Sequence, residues 1–134
     1  MSQENVKLVR RVFDSINQGD SRGALEEAAN DFVMDWSNSM GPAKGVYRGR
    51  QQVQDLWSSY LDAFGALEWN LEEFIEVDES RLVVVNRNRV RGRGSGVEVD
   101  AVGAQLWTIH DGKAQSVKLY QSKADALAAV GLRQ

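Results

Sequence analysis

The repeat of apolar residues along this chain changes its period at Gly65. Upstream, from near Gly49, apolar side chains recur at helical spacing, and Gly65 suits the end of that helix. These residues are Val53, Leu56, Trp57, Tyr60, Leu61 and Phe64. Downstream, from Ala66 to about Ser122, apolar and polar residues alternate as they do in β-strands. A chain that places helices before a long antiparallel meander predicts an α+β fold with the helices on one face of the sheet.

Two further helices and a strand are predicted before Gly49. The segment from about Gln3 to Ile16 carries an apolar stripe at helical spacing. Asp20 is typical of the cap of a short second helix, which we expect to carry Ala24, Leu25 and Ala28. From Phe32 to Asn38 the period falls to two, which predicts a strand, and a loop through residues 41–45 leads to the third helix.

Turn signals divide the strand region into hairpins. Arg81–Arg91 and Val97–Ile109 flank a glycine-rich turn, and Asp111–Gly112 is a two-residue turn typical of a second hairpin. The alternation slips near Glu72–Glu73, which predicts a β-bulge. A short helix over about Lys123–Val130 completes the chain, and we expect residues 1–134 to form one domain.

A row of arginines on the first of these strands could indicate nucleic-acid binding. If the glycine turn centres the hairpin, however, Arg91 faces Glu98 and Arg89 faces Asp100. These opposite charges neutralise the row, and no exposed aromatic residues are interleaved with it. We therefore predict a structural or dimer-face role and no nucleic-acid partner.

Composition excludes several kinds of chemistry. The chain has no cysteine and a single histidine, His110, so disulfides, thiolate nucleophiles and most catalytic zinc sites are excluded. The net charge of −3 gives no general attraction to nucleic acid or anionic lipid. No apolar run has membrane-spanning length, and the N-terminus lacks the apolar core of a signal peptide. We expect a cytoplasmic protein that has no metal, no cofactor and no membrane contact.

Several landmarks in order resemble the SnoaL-like, ketosteroid isomerase-like family of the nuclear transport factor 2-like superfamily. They are Asn17-Gln18-Gly19-Asp20, the strand after Asp31-Phe32, Val46-Tyr47-Arg48-Gly49, the segment from Arg91 to Val99, and Asp111-Gly112-Lys113. The resemblance implies a cone-shaped, curved antiparallel or mixed β-sheet wrapped by three N-terminal helices, with a short C-terminal helix. It also implies a pocket for a small apolar molecule and a homodimer formed through the outer sheet face. The family contains isomerases, cyclases, epoxide hydrolases and members without known activity, so fold alone does not give the reaction.

The catalytic positions of these relatives carry other residues here. The tyrosine, the base and the second acid of ketosteroid isomerases fall on Val12, Asn38 and Gln105, and a carboxamide is not a useful base at neutral pH. The second aspartate of limonene epoxide hydrolase-like enzymes falls near Leu119. That position also lies in the strand where the cyclases place an acid. None of the three known catalytic sets is complete.

The leading hypothesis is therefore a ligand-binding protein without a recognised catalytic set. If Asn38 and Gln105 face the interior, strand alternation places Trp36 and Trp107 beside them, and Trp57 matches a cavity-facing position of relatives. We predict that Trp36, Asn38, Trp57, Gln105 and Trp107 line a pocket for a small apolar molecule. A packed core in which the indoles fill the cone is the alternative, and an interior filled by its own side chains would argue against the pocket.

Two other hypotheses stay open at this point. The first is a cofactor-independent enzyme that uses an unrecognised set, such as Asp35 with Tyr47 or with an arginine from residues 87–91. Alternation places Asp35 on the face opposite Asn38, which weakens that reading. The second is a scaffold that binds a partner protein through its sheet face. His110, next to the second turn, is expected to be a solvated turn residue.

Overall fold

The computed structural model describes residues 2–39 and 43–132, so positions 41 and 42 of the predicted loop lie outside it. The helices within these ranges are α1 (Ser2–Asn17), α2 (Ser21–Ala24), α3 (Gly49–Ala63) and α4 (Lys123–Ala129). Asp20 caps α2 as predicted, since its carboxylate accepts a hydrogen bond from the Gly23 amide at 2.8 Å. The Ser122 hydroxyl caps α4 by accepting from the Asp125 amide at 3.1 Å. No helix of the described ranges is both long and apolar enough to cross a bilayer.

The strands join in one mixed sheet that curls into a half-barrel. They are β1 (Ala28–Asp35), β2 (Val46–Arg48), β3 (Phe64–Glu76), β4 (Arg81–Gly92), β5 (Glu98–His110) and β6 (Lys113–Tyr120). Their order across the sheet is β2-β1-β6-β5-β4-β3. The β1–β6 pair is parallel, and the other neighbouring pairs are antiparallel. The predicted α+β class and the curved, mixed sheet are confirmed.

The register of the long strands follows the turns that the sequence predicts. Arg91 lies opposite Glu98 and Arg89 lies opposite Asp100 in the β4–β5 ladder. The β3–β4 ladder shifts between Leu71 and Glu73, which is the bulge expected there. Because a bulge increases the local twist of a strand, it helps this edge of the sheet to curl.

The two faces of the sheet bury different sets of residues. On the concave face, apolar side chains of α1 and α3, such as Phe13 and Trp57, pack against alternate residues of the strands. On the convex face, Val83 and Ala104 pack against Leu127 of α4. The three N-terminal helices therefore share one face, as predicted, while the short C-terminal helix covers part of the other.

The beginning of the sheet differs from the prediction. The strand expected over Phe32–Asn38 ends at Asp35, and Ala28, expected in the second helix, begins it. Trp36 makes one more backbone pair, because its amide donates to the Gly45 carbonyl at 2.7 Å, and the chain then turns. Strand β2 was not predicted, since three residues are too few to show a period.

Candidate functional site

Two neighbouring spaces lie on the concave side of the sheet and are lined by described residues. The inner one, here called the inner chamber, has a volume of about 20 Å³. It is lined by Val12, Phe13, Ala24, Leu25, Ala28, Phe32, Met34, Trp36, Trp57, Gln105, Trp107, Ala114 and Val117. A volume of this size holds about one water molecule, so no drug-sized ligand fits in this conformation.

Four of the five predicted site residues meet around the inner chamber. Trp36, Trp57, Gln105 and Trp107 are all buried, between 1% and 4% exposed. The ring centroids of Trp36 and Trp57 are 5.4 Å apart at an interplanar angle of 83°, which is an edge-to-face contact. The sequence therefore identified residues that come together, but they do so as a packed aromatic cluster that nearly fills the inner chamber.

The larger space, here called the outer groove, lies beside the inner chamber and has a volume of about 510 Å³. Its lining comes from the turn after β1, the end of α3 and the neighbouring ends of β3, β4, β5 and β6. These residues are Trp36, Ser39, Ala43, Tyr60, Phe64, Trp69, Asn86, Asn88, Val90, Val99, Ala101, Val102, Gly103, Leu119, Tyr120 and Gln121. Small-molecule sites have volumes of roughly 300–1,000 Å³ and are mostly apolar with a few polar groups, and the outer groove has these properties.

Asn38, the fifth predicted site residue, lies apart from the other four. It is exposed in the turn after β1, and its Nδ2 donates to the Leu119 carbonyl at 3.2 Å. Its own carbonyl accepts a hydrogen bond from Gln121 Nε2. The physical reason is the early end of β1, because alternation no longer determines where a side chain points once the strand has ended. Asn38 ties this turn to the end of β6 at the rim of the outer groove.

A chain of hydrogen bonds, here called the amide relay, connects the inner chamber to the outer groove. Trp107 Nε1 donates to Gln105 Oε1 at 2.8 Å. Gln105 Nε2 donates to Asn86 Oδ1 at 3.2 Å, and Asn86 Nδ2 donates to Asn88 Oδ1 at 3.2 Å. Gln105 and Asn86 are each 1% exposed, whereas Asn88 is half-buried in the groove wall. The relay satisfies the buried amides, which would otherwise be costly to bury.

Trp69 and Tyr60 are two of the aromatic residues in the outer groove that carry a polar hydrogen. The indole nitrogen of Trp69 is buried and has no hydrogen-bond partner among the described residues. Burial raises the pKa of Tyr60 to about 12, so its hydroxyl stays neutral well into the alkaline range and can donate a hydrogen bond. The groove therefore offers neutral donors rather than charges.

The alternative catalytic set does not assemble at either space. Burial alone would raise the pKa of Asp35, but the hydroxyl and amide of Ser37, with Lys118 and Arg48, lower it below its ordinary value. A lowered pKa makes a carboxylate a weaker base, which is the opposite of what a general base at neutral pH needs. Tyr47 donates instead to the Ala43 carbonyl at 2.8 Å.

The arginines of the alternative set are engaged elsewhere. Arg87 lies 3.6 Å from Glu72 and 3.1 Å from Asp100, and Arg89 lies 3.6 Å from the same aspartate. Arg91 pairs with Glu98, as the hairpin register predicted. His110 is exposed, in agreement with its expected place beside the turn. Within the described part of the chain, no three carboxylate or histidine groups cluster as metal ligands would.

Fold and groove together define an α+β cone of the nuclear transport factor 2-like class. Residues 9–117 match the family model of the SnoaL-like domain, and the chain belongs to this family. The family assignment made from the sequence landmarks is confirmed. No functionally curated protein matches the sequence significantly.

Solved structures with little sequence identity share the fold. TerC, co-crystallised with polyporic acid, is 19% identical over 95% of this chain and 98% of its own, with a TM-score of 0.74. An NTF2-like protein of unknown function from Burkholderia pseudomallei is 21% identical over 96% of this chain and 98% of its own, with a TM-score of 0.77. RV0760c from Mycobacterium tuberculosis, in complex with estradiol-17β-hemisuccinate, is 14% identical over 90% of this chain and 95% of its own, with a TM-score of 0.76.

Several residues that line the groove were not predicted from the sequence, although a signal existed for some of them. Asn86 and Asn88 have the same parity as the buried Leu82 and Val84 on one strand, so alternation alone could have placed both amides on the inner face. Trp69 has the parity of the half-buried Leu67 and Leu71, and was not assigned to a site.

Proposed function

We propose that this protein binds a small, largely apolar molecule in the outer groove. The observation that carries the proposal is a space of about 510 Å³ whose lining joins Trp36, Tyr60 and Trp69 to the amides of Asn86 and Asn88. The aromatic rings provide apolar contact area, and the few amides fix orientation. Of the five residues predicted from the sequence, Trp36 contacts such a ligand directly. Trp57, Gln105 and Trp107 form the packed layer beneath it.

Structures of relatives support this assignment. TerC was crystallised with polyporic acid and RV0760c with estradiol-17β-hemisuccinate. Proteins that share this fold therefore bind small molecules. The lining of the outer groove makes a small molecule of mostly apolar surface the class proposed here.

The proposal includes no reaction. The titratable side chains among the described residues that line the outer groove are the two tyrosines, Tyr60 and Tyr120. Without a carboxylate or imidazole in this lining, the groove has no group suited to move a proton at neutral pH. Turnover of an epoxide or ketone that depends on Asp35 would contradict this reading and restore the enzymatic alternative.

Binding of N-phenyl-1-naphthylamine, a neutral apolar dye that fluoresces when it leaves water, tests the proposal. We expect saturable binding by the wild-type protein. Ala101→Leu fills part of the groove and should weaken dye binding roughly tenfold, about 1.4 kcal/mol. Ala124→Leu, the same change at an exposed position of α4, should leave binding as in wild type. No saturable binding, or equal affinity of Ala101→Leu and Ala124→Leu, would refute the outer groove as the site.

The predicted homodimer and cytoplasmic location remain proposals. An association through the convex sheet face would cover Ile75 and Leu106, which pack against Val83 and Ala104 and are only partly buried. Light scattering of the purified protein tests the dimer, and a monomer at all concentrations would exclude it. Fractionation of producing cells tests the location.

A further inference from the structure

The amide relay has a fixed direction, and this direction decides what the outer groove presents to a ligand. An indole N–H can donate a hydrogen bond but cannot accept one. Gln105 must therefore turn its oxygen toward Trp107, which places its nitrogen toward Asn86. Asn86 must in turn accept through its oxygen and donate through its nitrogen, so Asn88 accepts. Each carboxamide is oriented by the one before it, beginning from the indole.

The relay leaves the Asn88 amino group unused. Its Oδ1 is occupied by Asn86, and Nδ2 has no acceptor among the residues that the structure describes. Since Asn88 lines the outer groove, this donor is available to a bound molecule. Reversing the amide would place two donor groups face to face, so the donor end stays toward the groove.

An independent observation points to the same place. Trp69 lies directly opposite Asn88 in the β3–β4 ladder, and both residues line the groove. The Trp69 indole N–H is the buried polar group that lacks a partner in the described structure. Buried donors are normally satisfied, and an unsatisfied one requires an explanation. Trp69 and Asn88 are thus adjacent side chains of the groove lining, and each carries a donor that lacks an acceptor among the described residues.

The residues that line the outer groove restrict the ligand group that accepts from Asn88 to a neutral one. Its described lining contains no lysine, arginine or histidine. A carboxylate or phosphate placed there would lose its hydration without gaining a counter-charge, which is strongly unfavourable. A carbonyl or ether oxygen accepts a hydrogen bond at a much smaller cost of desolvation.

We infer that Asn88 is a specificity-determining residue that donates a hydrogen bond to a neutral carbonyl or ether oxygen of the apolar ligand proposed above. Trp107, in the inner chamber, is the positioning residue: through Gln105 and Asn86 it fixes the orientation of the Asn88 amide. The inference rests on the proposed function, because it requires a ligand in the outer groove. It adds the functional group that the ligand must carry.

A matched pair of compounds tests this inference. The compounds 2-acetylnaphthalene and 2-isopropenylnaphthalene have nearly the same shape, but only the first has an acceptor oxygen. Their affinities are measured by displacement of N-phenyl-1-naphthylamine, and the ratio of the ketone affinity to the alkene affinity is compared between variants. Asn88→Asp keeps an acceptor for Asn86 but removes the donor, and Asn88→Leu removes both. Asn70→Leu, on the neighbouring strand at an exposed position, is the control.

We expect the ketone-to-alkene ratio to fall roughly two- to tenfold in Asn88→Asp and Asn88→Leu, the range for loss of one neutral hydrogen bond. Trp107→Phe should lower the same ratio, because the relay loses its fixed direction. If Trp107 only supports the structure, Trp107→Phe should lower the affinity for both compounds equally and leave the ratio unchanged. The ratio in Asn70→Leu should equal that of wild type.

The outcomes separate the inference from the proposed function. If the dye does not bind to wild type, the proposed function fails and the inference fails with it. If the dye binds and both Asn88 variants keep the wild-type ratio, the inference alone is overturned. If the ratio falls in the Asn88 variants but not in Trp107→Phe, the positioning role of Trp107 is refuted.

Discussion

Asn17, the last residue of α1, forms a closed pair of hydrogen bonds with the backbone of Trp69 in β3. Asn17 Nδ2 donates to the Trp69 carbonyl at 2.9 Å, and the Trp69 amide donates to Asn17 Oδ1 at 2.8 Å. Strand β3 is an edge of the sheet, so its outward backbone groups lack a neighbouring strand. The asparagine side chain takes the place of that strand at one residue and holds the end of α1 against the curled edge. Trp69 is thereby fixed where it lines the outer groove.

Asn17→Ala should lower the free energy of unfolding by about 1–2 kcal/mol, because two partly buried hydrogen bonds are lost while water can reach the edge strand. Urea unfolding followed by circular dichroism measures the change. Asn70→Ala is the control, since that exposed side chain bonds only to Glu68 in the described structure, and we expect a change within about 0.5 kcal/mol. Equal losses in the two variants would show that the Asn17 pair adds no specific stability.

Trp57→Ala distinguishes a packed interior from an open pocket at the inner chamber. Trp57 is 4% exposed and makes edge-to-face contacts with Trp36 and Trp69 at 5.4 and 6.0 Å. Removing a fully packed indole should lower the free energy of unfolding by about 3–5 kcal/mol. Val97→Ala, at a position that is 62% exposed, should change it by less than about 0.5 kcal/mol. A loss near 1 kcal/mol for Trp57→Ala would mean that the indole faces open space.

The fold could be predicted from the sequence, but only part of the site could. Particular residues show why. The pairing of Arg91 with Glu98 follows from the turn between their strands, because register is set by turn geometry and alternation. The position of Asn38 depended on where β1 ends and on the turn that follows, in which the Ser39 amide donates to the Trp36 carbonyl at 3.0 Å. The alternation of apolar and polar residues does not predict such a contact.

The volumes of the inner chamber and the outer groove also could not be predicted from the sequence. Alternation places Trp107 and Gln105 on the concave face, but it gives neither the distance between β5 and α3 nor the angle between indoles. Four tryptophans meet in one cluster because the sheet curls, and the degree of curl depends on the bulge after Leu71 and on tertiary packing. The inner chamber is consequently nearly filled, and the free space lies at the outer groove.

Asp100→Asn should have a small, salt-dependent effect on stability. Its carboxylate lies 3.1 Å from Arg87 and 3.6 Å from Arg89, and all three side chains are well exposed. Exposed ion pairs contribute less than about 1 kcal/mol and are screened by salt. We expect the difference from wild type in urea unfolding to disappear at high ionic strength. Asp14→Asn, at an exposed position of α1 with no ion pair in the described structure, is the control. A loss that persists in high salt would indicate a role beyond screened charge pairing.

The burial of Tyr60 predicts a loss of stability in alkali. Its pKa rises from the ordinary value of 10.0 to about 12 on folding, because burial disfavours the charged phenolate. A pKa raised by folding means that the native state holds the proton more tightly than the unfolded chain. This contribution is complete below pH 10 and is lost as the pH rises toward 12, with a slope of up to about 1.4 kcal/mol per pH unit.

Tyr60→Phe removes this contribution while it keeps the ring that packs against Trp36 and Trp57 at 6.3 and 5.5 Å. Unfolding free energies of wild type and variant, measured at intervals between pH 9 and 12, should run parallel below pH 10. Above pH 10 the wild-type curve should fall more steeply. Only in the wild type does unfolding release the phenol of Tyr60, which then ionises and stabilises the unfolded chain. Parallel curves over the whole range would show that folding does not raise the pKa of Tyr60 and that its hydroxyl is accessible to water.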